Sequence, residues 1–138
     1  MIEMTQVWER LYVGGRNDAE HLFKSNHFGI TTVLSLCEDK VLRRKSGINY
    51  LHIPVVDAKR LEVGQLDAII DAIGENIRWG TLLLHCGSGV SRAPILAAAW
   101  MDVVGYKNID AALDEIARLR PIIAPSGILL SSVREHLK

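Results

Sequence analysis

Residues 85–94 read His-Cys-Gly-Ser-Gly-Val-Ser-Arg-Ala-Pro and directly follow the apolar run Leu82-Leu83-Leu84. The pattern predicts that a strand ends at Cys86 and that a helix begins near Arg92. The small residues between them allow successive backbone N–H groups to turn inward, toward the positive end of that helix. The stretch therefore predicts an anion site where a strand meets a helix.

Cys86 lies where four effects favour the thiolate over the thiol. These are the inward amides, the helix dipole, the Arg92 guanidinium and the Ser91 hydroxyl. A cysteine at the end of a strand is most often a core residue, but here two glycines, a serine and a strand-to-helix junction occur together. We expect Cys86 to be an activated nucleophile. The residues expected to bind phosphate around it are Gly87, Ser88, Gly89, Val90, Ser91 and Arg92.

The composition indicates a single globular unit without a global electric field. The chain has 138 residues, 49% of them hydrophobic, with 16 basic residues against 16 acidic ones. This balance does not favour recruitment of nucleic acid or an anionic membrane surface. The N-terminus lacks an apolar signal core, and the longest apolar run is far shorter than the roughly 20 residues that span a bilayer. We expect a soluble cytoplasmic protein that binds neither nucleic acid nor membrane.

Cysteine usage agrees with a reducing compartment. Cys37 and Cys86 are the two cysteines of the chain, too few for a disulfide scaffold and without the paired spacing of a zinc site. No cluster of metal ligands is evident in the sequence. We therefore expect neither a metal nor another cofactor.

Strand and helix signals alternate along the first half of the chain. Strands are expected at residues 7–8, 11–13, 30–37 and 49–56, and the central strand at 81–85. A helix capped by Asn17 or Asp18 should reach toward Phe28. Apolar residues at three-four spacing predict another helix from Leu66 to Ile77, with Gly80 where it stops.

The second half is expected to be helical. Pro94 fits the first turn of a mostly apolar helix that ends at Gly105 and should be the most buried. Asn108 or Asp110 can cap the next helix, and Ser126 caps the last. This order predicts an α/β fold, with a mostly parallel central sheet of four to five strands flanked by helices.

The chain resembles the dual-specificity branch of the cysteine-dependent protein tyrosine phosphatases. Residues 85–92 match the His-Cys-x5-Arg signature loop, with a serine before the arginine. Residues 11–14 (Leu-Tyr-Val-Gly) look like the opening strand, and residues 53–57 (Ile-Pro-Val-Val-Asp) look like the segment that delivers the general acid. Residues 120–127 (Arg-Pro-Ile-Ile-Ala-Pro-Ser-Gly) resemble the closing segment that buttresses the loop. The resemblance implies one dual-specificity phosphatase-like catalytic domain over residues 1–138.

The resemblance also implies a role for each matching residue. Cys86 would attack phosphorus while Arg92 holds the phosphoryl oxygens, giving a phosphocysteine intermediate. Asp57 would protonate the leaving group and later activate water, and Ser91 would ease departure of the thiolate. His85 would support the loop. Taken alone, Asp57 is typical of a turn, Ser91 of a helix N-cap and His85 of a core histidine.

Two further positions bear on the loop. Ser126 stands where the family usually carries asparagine, and it offers fewer hydrogen bonds to the loop. Cys37 resembles a second cysteine of the family's lipid-phosphatase members, which traps the oxidised nucleophile, here Cys86, as a disulfide. Core packing is the alternative reading of Cys37.

The residues around the loop favour a phosphorylated protein as substrate. The loop residues 87–90 carry no charge, whereas inositol-lipid phosphatases place lysines there, and no insertion that deepens the pocket is evident. Phosphotyrosine and phosphoserine or phosphothreonine should both reach the site. Basic residues at 43–45, Lys59 and Arg60 would favour acidic substrates if they reach the rim. The alternatives are a non-protein phosphoester such as a phosphoinositide or an RNA 5′-phosphate, a non-catalytic phosphate-binding module, and a rhodanese-like sulfur transferase.

Overall fold

The computed structural model describes residues 3–138, which alternate strands and helices before ending in three consecutive helices. The strands are β1 (Thr5–Trp8), β2 (Leu11–Gly14), β3 (Thr32–Ser35), β4 (Asn49–His52) and β5 (Leu82–His85). The helices are α1 (Arg16–His21), α2 (Val63–Trp79), α3 (Arg92–Val103), α4 (Ile109–Leu119) and α5 (Gly127–His136).

The five strands form one sheet in the order β1-β2-β5-β3-β4. β1 pairs with β2 antiparallel, and the other three pairs are parallel. The predicted α/β fold with a mostly parallel sheet flanked by helices is confirmed, and β5 is the central strand as predicted, beginning at Leu82 rather than at residue 81. Because the carboxyl ends of parallel strands meet at one edge, the segments that follow β2, β3, β4 and β5 gather around the end of β5.

The central strand is buried on both faces of the sheet. Leu82 and Leu84 pack in the larger core with α2, α3, α4 and α5, while Leu83 packs in a smaller core with Ala19 and Leu22. This alternation follows from the two-residue period of a strand. Every residue of α3 from Ala93 to Met101 is buried, so the predicted most buried helix is confirmed. The fold therefore fixes the end of β5 and the start of α3 from all sides.

Several predicted boundaries were wrong by a few residues. β4 ends at His52 rather than residue 56, although the N–H groups of Ile53 and Val55 still donate to Ser35 and Leu36 at 3.0 and 2.9 Å. Pro54 between them has no N–H to donate, so the ladder becomes irregular there. β3 is likewise shorter than 30–37 and spans Thr32–Ser35.

The N-terminal helix was also predicted incorrectly. α1 is capped by Gly15 rather than by Asn17 or Asp18, and it ends at His21, before Phe28. Asp18 lies in the first turn instead, where its carboxylate accepts a hydrogen bond from the Gly15 N–H at 2.8 Å. Such a contact satisfies a donor that the helix leaves free.

The other helix ends are close to their predicted positions. α2 begins at Val63, three residues before the first apolar position of its periodic face. Asn108, rather than Asp110, caps α4 by accepting from the Ala111 N–H, and Ser126 caps α5. Gly105 follows the end of α3 with a φ of +82°, a conformation that glycine adopts at low cost.

Candidate active site

The predicted anion site lies in the segment between β5 and α3, which we call the signature loop (residues 86–91). Cys86 is 2% exposed, and its Sγ accepts a hydrogen bond from the Ala93 N–H at 3.4 Å. That N–H belongs to the first turn of α3, where the unpaired amide donors of a helix carry its positive partial charge. The strand, the loop and the helix therefore meet at Cys86 as the sequence predicts.

The carbonyl groups of residues 87–90 in the signature loop accept hydrogen bonds from residues outside the loop. The Gly87 carbonyl accepts from the Arg16 N–H at 2.9 Å, and the Val90 carbonyl accepts from the Ala124 N–H at 2.7 Å. Arg120 supplies both remaining contacts, from Nη2 to the Ser88 carbonyl at 3.3 Å and from Nε to the Gly89 carbonyl at 2.9 Å. Four successive carbonyls are thus held away from the centre of the loop.

The amide N–H groups of residues 87–91 in the same loop, unlike its carbonyls, have no hydrogen-bond partner among the described residues. Within the described chain, no N–H group of residues 87–91 donates a hydrogen bond to another residue. A concave run of unpaired amides is a binding site for an anion, because each donor needs an acceptor once water is displaced. The backbone of the loop can therefore hold several oxygen atoms of one phosphate group.

Gly89 is required by the geometry of the loop. Its φ is +72°, and a Cβ at this position would lie 2.7 Å from Arg120 Nη2 and 2.7 Å from the carbonyl carbon of Gly14. Gly15 also lies close to the loop, since a Cβ there would lie 3.1 Å from the Gly87 carbonyl oxygen. The glycines at 15 and 89 therefore allow the end of β2 and the loop to come into backbone contact.

The sequence reasoning gave no individual role to Arg120, which is 2% exposed. Besides the two loop carbonyls, its Nη1 donates to the Glu3 carbonyl at 2.7 Å and to Thr5 Oγ1 at 2.8 Å. Burial lowers the pKa of the Arg120 guanidinium, while the negative charges of Asp18 and Cys86 raise it. Arg120 thus ties the signature loop to β1, and the only sequence signal for this was the position of Arg120 in the closing segment.

Arg92 lies over the same loop. A Cβ on Gly87 would be 3.3 Å from Arg92 Nη2, which shows how closely the guanidinium approaches the loop backbone. Nη1 donates to the Val55 carbonyl at 3.0 Å and forms an ion pair with Glu38 Oε1 at 2.9 Å. Glu38 was missed because an exposed acidic residue in a polar segment gives no distinctive pattern.

Asp57, Ser91 and Ser126 are brought together by two hydrogen bonds. The Ser126 N–H donates to Ser91 Oγ at 2.9 Å, and Ser91 Oγ donates to Asp57 Oδ1 at 2.9 Å. Ser91 occupies the N-cap position of α3, but its side chain makes no capping bond there. The Ser126 side chain caps α5 instead of bonding the loop. A carboxyl group is therefore held at the end of the loop that carries Cys86 and Arg92.

His85 lies behind the loop with no exposed surface. Its Nδ1 is 3.2 Å from the Cys86 carbonyl oxygen and its Nε2 is 2.6 Å from Ser35 Oγ. The carbonyl can only accept, so Nδ1 carries the proton and Nε2 accepts from the serine. Burial lowers the pKa of His85 to about 4, which makes it a neutral imidazole that supports the backbone of Cys86.

Cys37 lies beside the imidazole ring of His85. Its Sγ lies 3.9 Å from His85 Nδ1, because β3 and β5 are neighbours in the sheet. Burial raises the pKa of the Cys37 thiol, while the positive charge of Arg92 lowers it and the negative charge of Cys86 raises it. Both cysteines are buried and free. The structure thus brings the Cys37 thiol to the same imidazole nitrogen that faces the Cys86 carbonyl oxygen.

The basic residues considered for the rim are partly engaged elsewhere. Arg60 pairs with Glu135 of α5, and Arg44 stacks 5.2 Å from the Tyr50 ring. Among residues 3–138, no three His, Cys, Asp or Glu side chains are grouped closely enough to hold a metal ion. No helix in the described part of the chain has the length and apolar character needed to cross a membrane.

The chain matches a family of known proteins over most of its length. Residues 11–138 match the family model "Dual specificity phosphatase, catalytic domain". Dual specificity protein phosphatase 18 from Mus musculus is 27% identical over 129 residues, which cover 90% of this chain and 67% of that protein. The Rattus norvegicus protein of the same name is 29% identical, with 90% of this chain and 62% of that protein covered. The chain thus spans about two thirds of the length of these curated relatives.

Solved structures agree with this match. The crystal structure of DUSP15 superimposes with a TM-score of 0.82 at 28% identity, covering 98% of this chain and 85% of that one. The crystal structure of PTPMT1 in complex with PI(5)P has a TM-score of 0.79 at 18% identity, covering 97% and 94%. At that identity the second comparison shows a shared fold alone.

Proposed function

Because this chain belongs to the dual specificity phosphatase catalytic-domain family, we propose that it removes phosphate from phosphotyrosine and from phosphoserine or phosphothreonine of proteins. The observation that carries the proposal is the orientation of the signature loop. The carbonyls of residues 87–90 accept hydrogen bonds from residues outside the loop. The amide N–H groups of residues 87–91, which follow Cys86, have no partner in the described chain. A phosphoryl group accepts several such donors at once.

The proposed reaction has two steps. Cys86 Sγ attacks phosphorus in line with the leaving oxygen, so that an S–P bond forms as the O–P bond breaks. Asp57, in its protonated form, gives its proton to the leaving oxygen. Arg92 exchanges its contact with Glu38 for the phosphoryl oxygens, where its planar fork donates two parallel hydrogen bonds.

The second step returns the enzyme to its starting state. The Asp57 carboxylate takes a proton from water, whose oxygen attacks phosphorus and releases Cys86 as the thiolate. Ser91, which lies between Asp57 and the loop, rotates its O–H from the carboxylate toward the departing sulfur. The 2.9 Å bond between Ser91 Oγ and Asp57 Oδ1 supports this shared role.

A phosphoester that is not a protein is the second candidate. The likeness in fold to PTPMT1, whose structure contains PI(5)P, favours testing a phosphoinositide. The uncharged residues 87–90 argue against a head group with several phosphates, since no loop lysine is available to neutralise them. An RNA 5′-phosphate is a further non-protein substrate to test.

Hydrolysis of para-nitrophenyl phosphate by the wild-type chain and by Cys86→Ser tests the chemistry. We expect turnover by the wild type and none by the serine variant. Wild-type binding of phosphate without turnover would favour a non-catalytic module, and sulfur transfer from thiosulfate would favour the rhodanese-like alternative. Comparison of kcat/KM on singly phosphorylated peptides, PI(5)P and a 5′-phosphorylated oligoribonucleotide then separates the substrate classes.

A further inference from the structure

The segment that carries Asp57 is exposed and locally strained. Residues 56–60 are all exposed, and Ala58, directly after Asp57, has a φ of +58°. A non-glycine residue in the left-handed region costs of the order of 1 kcal/mol and persists only where its surroundings enforce it. Something beyond residues 56–60 must therefore hold this loop in place.

Ser91 holds the Asp57 carboxylate itself, and a buried restraint on the backbone lies at Leu61, three residues after Ala58. The Leu61 N–H donates to Ser132 Oγ at 2.8 Å, and Ser132 Oγ donates back to the Leu61 carbonyl at 3.2 Å. One hydroxyl group on α5 thus satisfies both backbone groups of a single residue. Ser132 has no exposed surface, so water cannot replace either bond.

A second side chain of α5 contacts the same carbonyl. His136 Nε2 lies 2.7 Å from the Leu61 carbonyl oxygen, and because the carbonyl can only accept, Nε2 carries the proton. Ser132 and His136 are four residues apart and lie on one face of the helix. Both lone pairs of the Leu61 carbonyl are therefore used by α5.

The neighbouring ion pair does not explain the restraint. Arg60 pairs with Glu135, but both side chains are more than half exposed, and such pairs contribute little in water. The Pro54 carbonyl, which lies upstream of Asp57, accepts a hydrogen bond from Gln65 Nε2 at 2.8 Å. This contact joins the chain before the Asp57 loop to the chain after it. The buried contacts at Leu61 are the ones that fix the downstream end.

We propose that Ser132 and His136 are positioning residues that set the place of Asp57 through the backbone of Leu61. The inference rests on the proposed function, in which Asp57 protonates the leaving group. Small displacements of a proton donor reduce its contribution strongly, because proton transfer requires hydrogen-bond distance. α5 thereby connects two parts of the site, since its N-cap residue Ser126 also bonds Ser91.

Kinetics of Ser132→Ala on aryl phosphates with graded leaving groups test this proposal. We expect kcat/KM on phenyl phosphate, which reports the first step alone, to fall about tenfold, and kcat/KM on dinitrophenyl phosphate, which needs little protonation, to change by less than about twofold. In the Asp57→Asn background, Ser132→Ala should cause no further loss, because the two changes act through one group. Ser131→Ala, an exposed serine on the same helix, is the matched control.

His136 provides a second test that leaves the buried hydroxyl in place. His136→Phe should reproduce the dependence on the leaving group to a smaller extent, and His136→Gln should restore the wild-type dependence by keeping an N–H donor. Hydrogen exchange of the peptide spanning residues 57–62 should quicken in Ser132→Ala and not in Ser131→Ala.

Two results would overturn the proposal. One is an equal loss of kcat/KM on both leaving groups, and the other is unchanged exchange of residues 57–62 in Ser132→Ala. A wild-type chain that cleaves no aryl phosphate at all, with faster exchange in the variant, would instead count against the proposed function. The two failures are therefore distinguishable.

Discussion

Arg120→Met tests whether the buried guanidinium organises the signature loop. Methionine has a similar length and fills much of the same space, so the change removes hydrogen bonds while leaving only a small cavity. It removes the donors to the Ser88 and Gly89 carbonyls on one side and to Glu3 and Thr5 on the other. The loop carbonyls are then left without partners near Cys86.

The expected cost follows from those contacts. An unsatisfied buried polar group costs about 1–3 kcal/mol, so the buried Gly89 carbonyl, with a smaller contribution from the carbonyl of the exposed Ser88, predicts a loss of about 3 kcal/mol in the free energy of unfolding. Domains of this size are typically stable by about 5–15 kcal/mol. The variant should fold but unfold at a clearly lower urea concentration.

Activity should fall by more than stability alone explains. Arg120 holds the loop amides inward through its bonds to the Ser88 and Gly89 carbonyls. We expect kcat/KM on para-nitrophenyl phosphate to drop at least about tenfold under conditions where the variant is folded. Arg120→Lys keeps the charge but loses the planar fork, so it should be intermediate.

Urea denaturation and steady-state kinetics on the same preparations provide the comparison. Arg118→Met is the matched control, because Arg118 is an exposed arginine on the same helix. If Arg120→Met matched Arg118→Met in both unfolding midpoint and kcat/KM, the loop would not depend on Arg120, and the reasoning from buried carbonyls would be refuted.

Three further predictions concern the groups around the loop. Asp57→Asn should lower kcat/KM on phenyl phosphate by about a hundredfold or more and affect kcat/KM on dinitrophenyl phosphate little, whereas an equal loss of kcat/KM on both would exclude Asp57 as the acid. Because burial lowers the pKa of His85 to about 4 from 6.5, the unfolded state binds its proton first on acidification. The free energy of unfolding should be flat above pH 6.5 and should fall between pH 6.5 and about 4, by up to ~3 kcal/mol; a pH series of urea denaturation in which stability rose on acidification would contradict this. Peroxide should oxidise the Cys86 thiolate to a sulfenic acid, which the Cys37 thiol converts to a disulfide with release of water, so that dithiothreitol restores activity. Mass spectrometry that finds sulfinic acid at Cys86 and never a peptide linked to Cys37 would rule this out.

The parts of the fold that depend on local sequence were predictable. The central strand and the buried helix α3 follow from continuous apolar runs, and the caps at Asn108 and Ser126 follow from side-chain chemistry. The end of β4 was not predictable. Beyond its last regular pair, the N–H groups of Ile53 and Val55 still donate to β3 and the residue after it, so the sequence pattern of a strand continues past the regular ladder. The cap of α1 was missed because a glycine cap has no side chain to identify it.

The candidate site was predictable where a motif carries it and not elsewhere. Cys86, Arg92 and Asp57 were found from a local pattern and its resemblance to a family. Arg120 reaches Gly89 across 31 positions of the chain and Glu3 across 117. Ser132 reaches Leu61 across 71. For the contact between Ser132 and Leu61 a single sequence contains no signal, and for Arg120 the one signal is its place in the segment that resembles the family's closing segment.

Some contacts of the site stay in place when a phosphate group binds or reacts, and others must be replaced. The loop carbonyls are held by buried or backbone donors, so the cost of orienting the amides is met during folding. By contrast, Arg92 is held by the exposed carboxylate of Glu38, and Asp57 by the hydroxyl of Ser91. A phosphate dianion carries more charge than Glu38 and can accept two bonds from Arg92, while the released carboxylate is hydrated at once. In the proposed reaction, phosphate binding therefore exchanges the Arg92 contact with Glu38 and leaves the loop backbone in place, and the Ser91 contact with Asp57 is exchanged only in the second step. The placement of Asp57 then becomes the remaining geometric requirement for turnover.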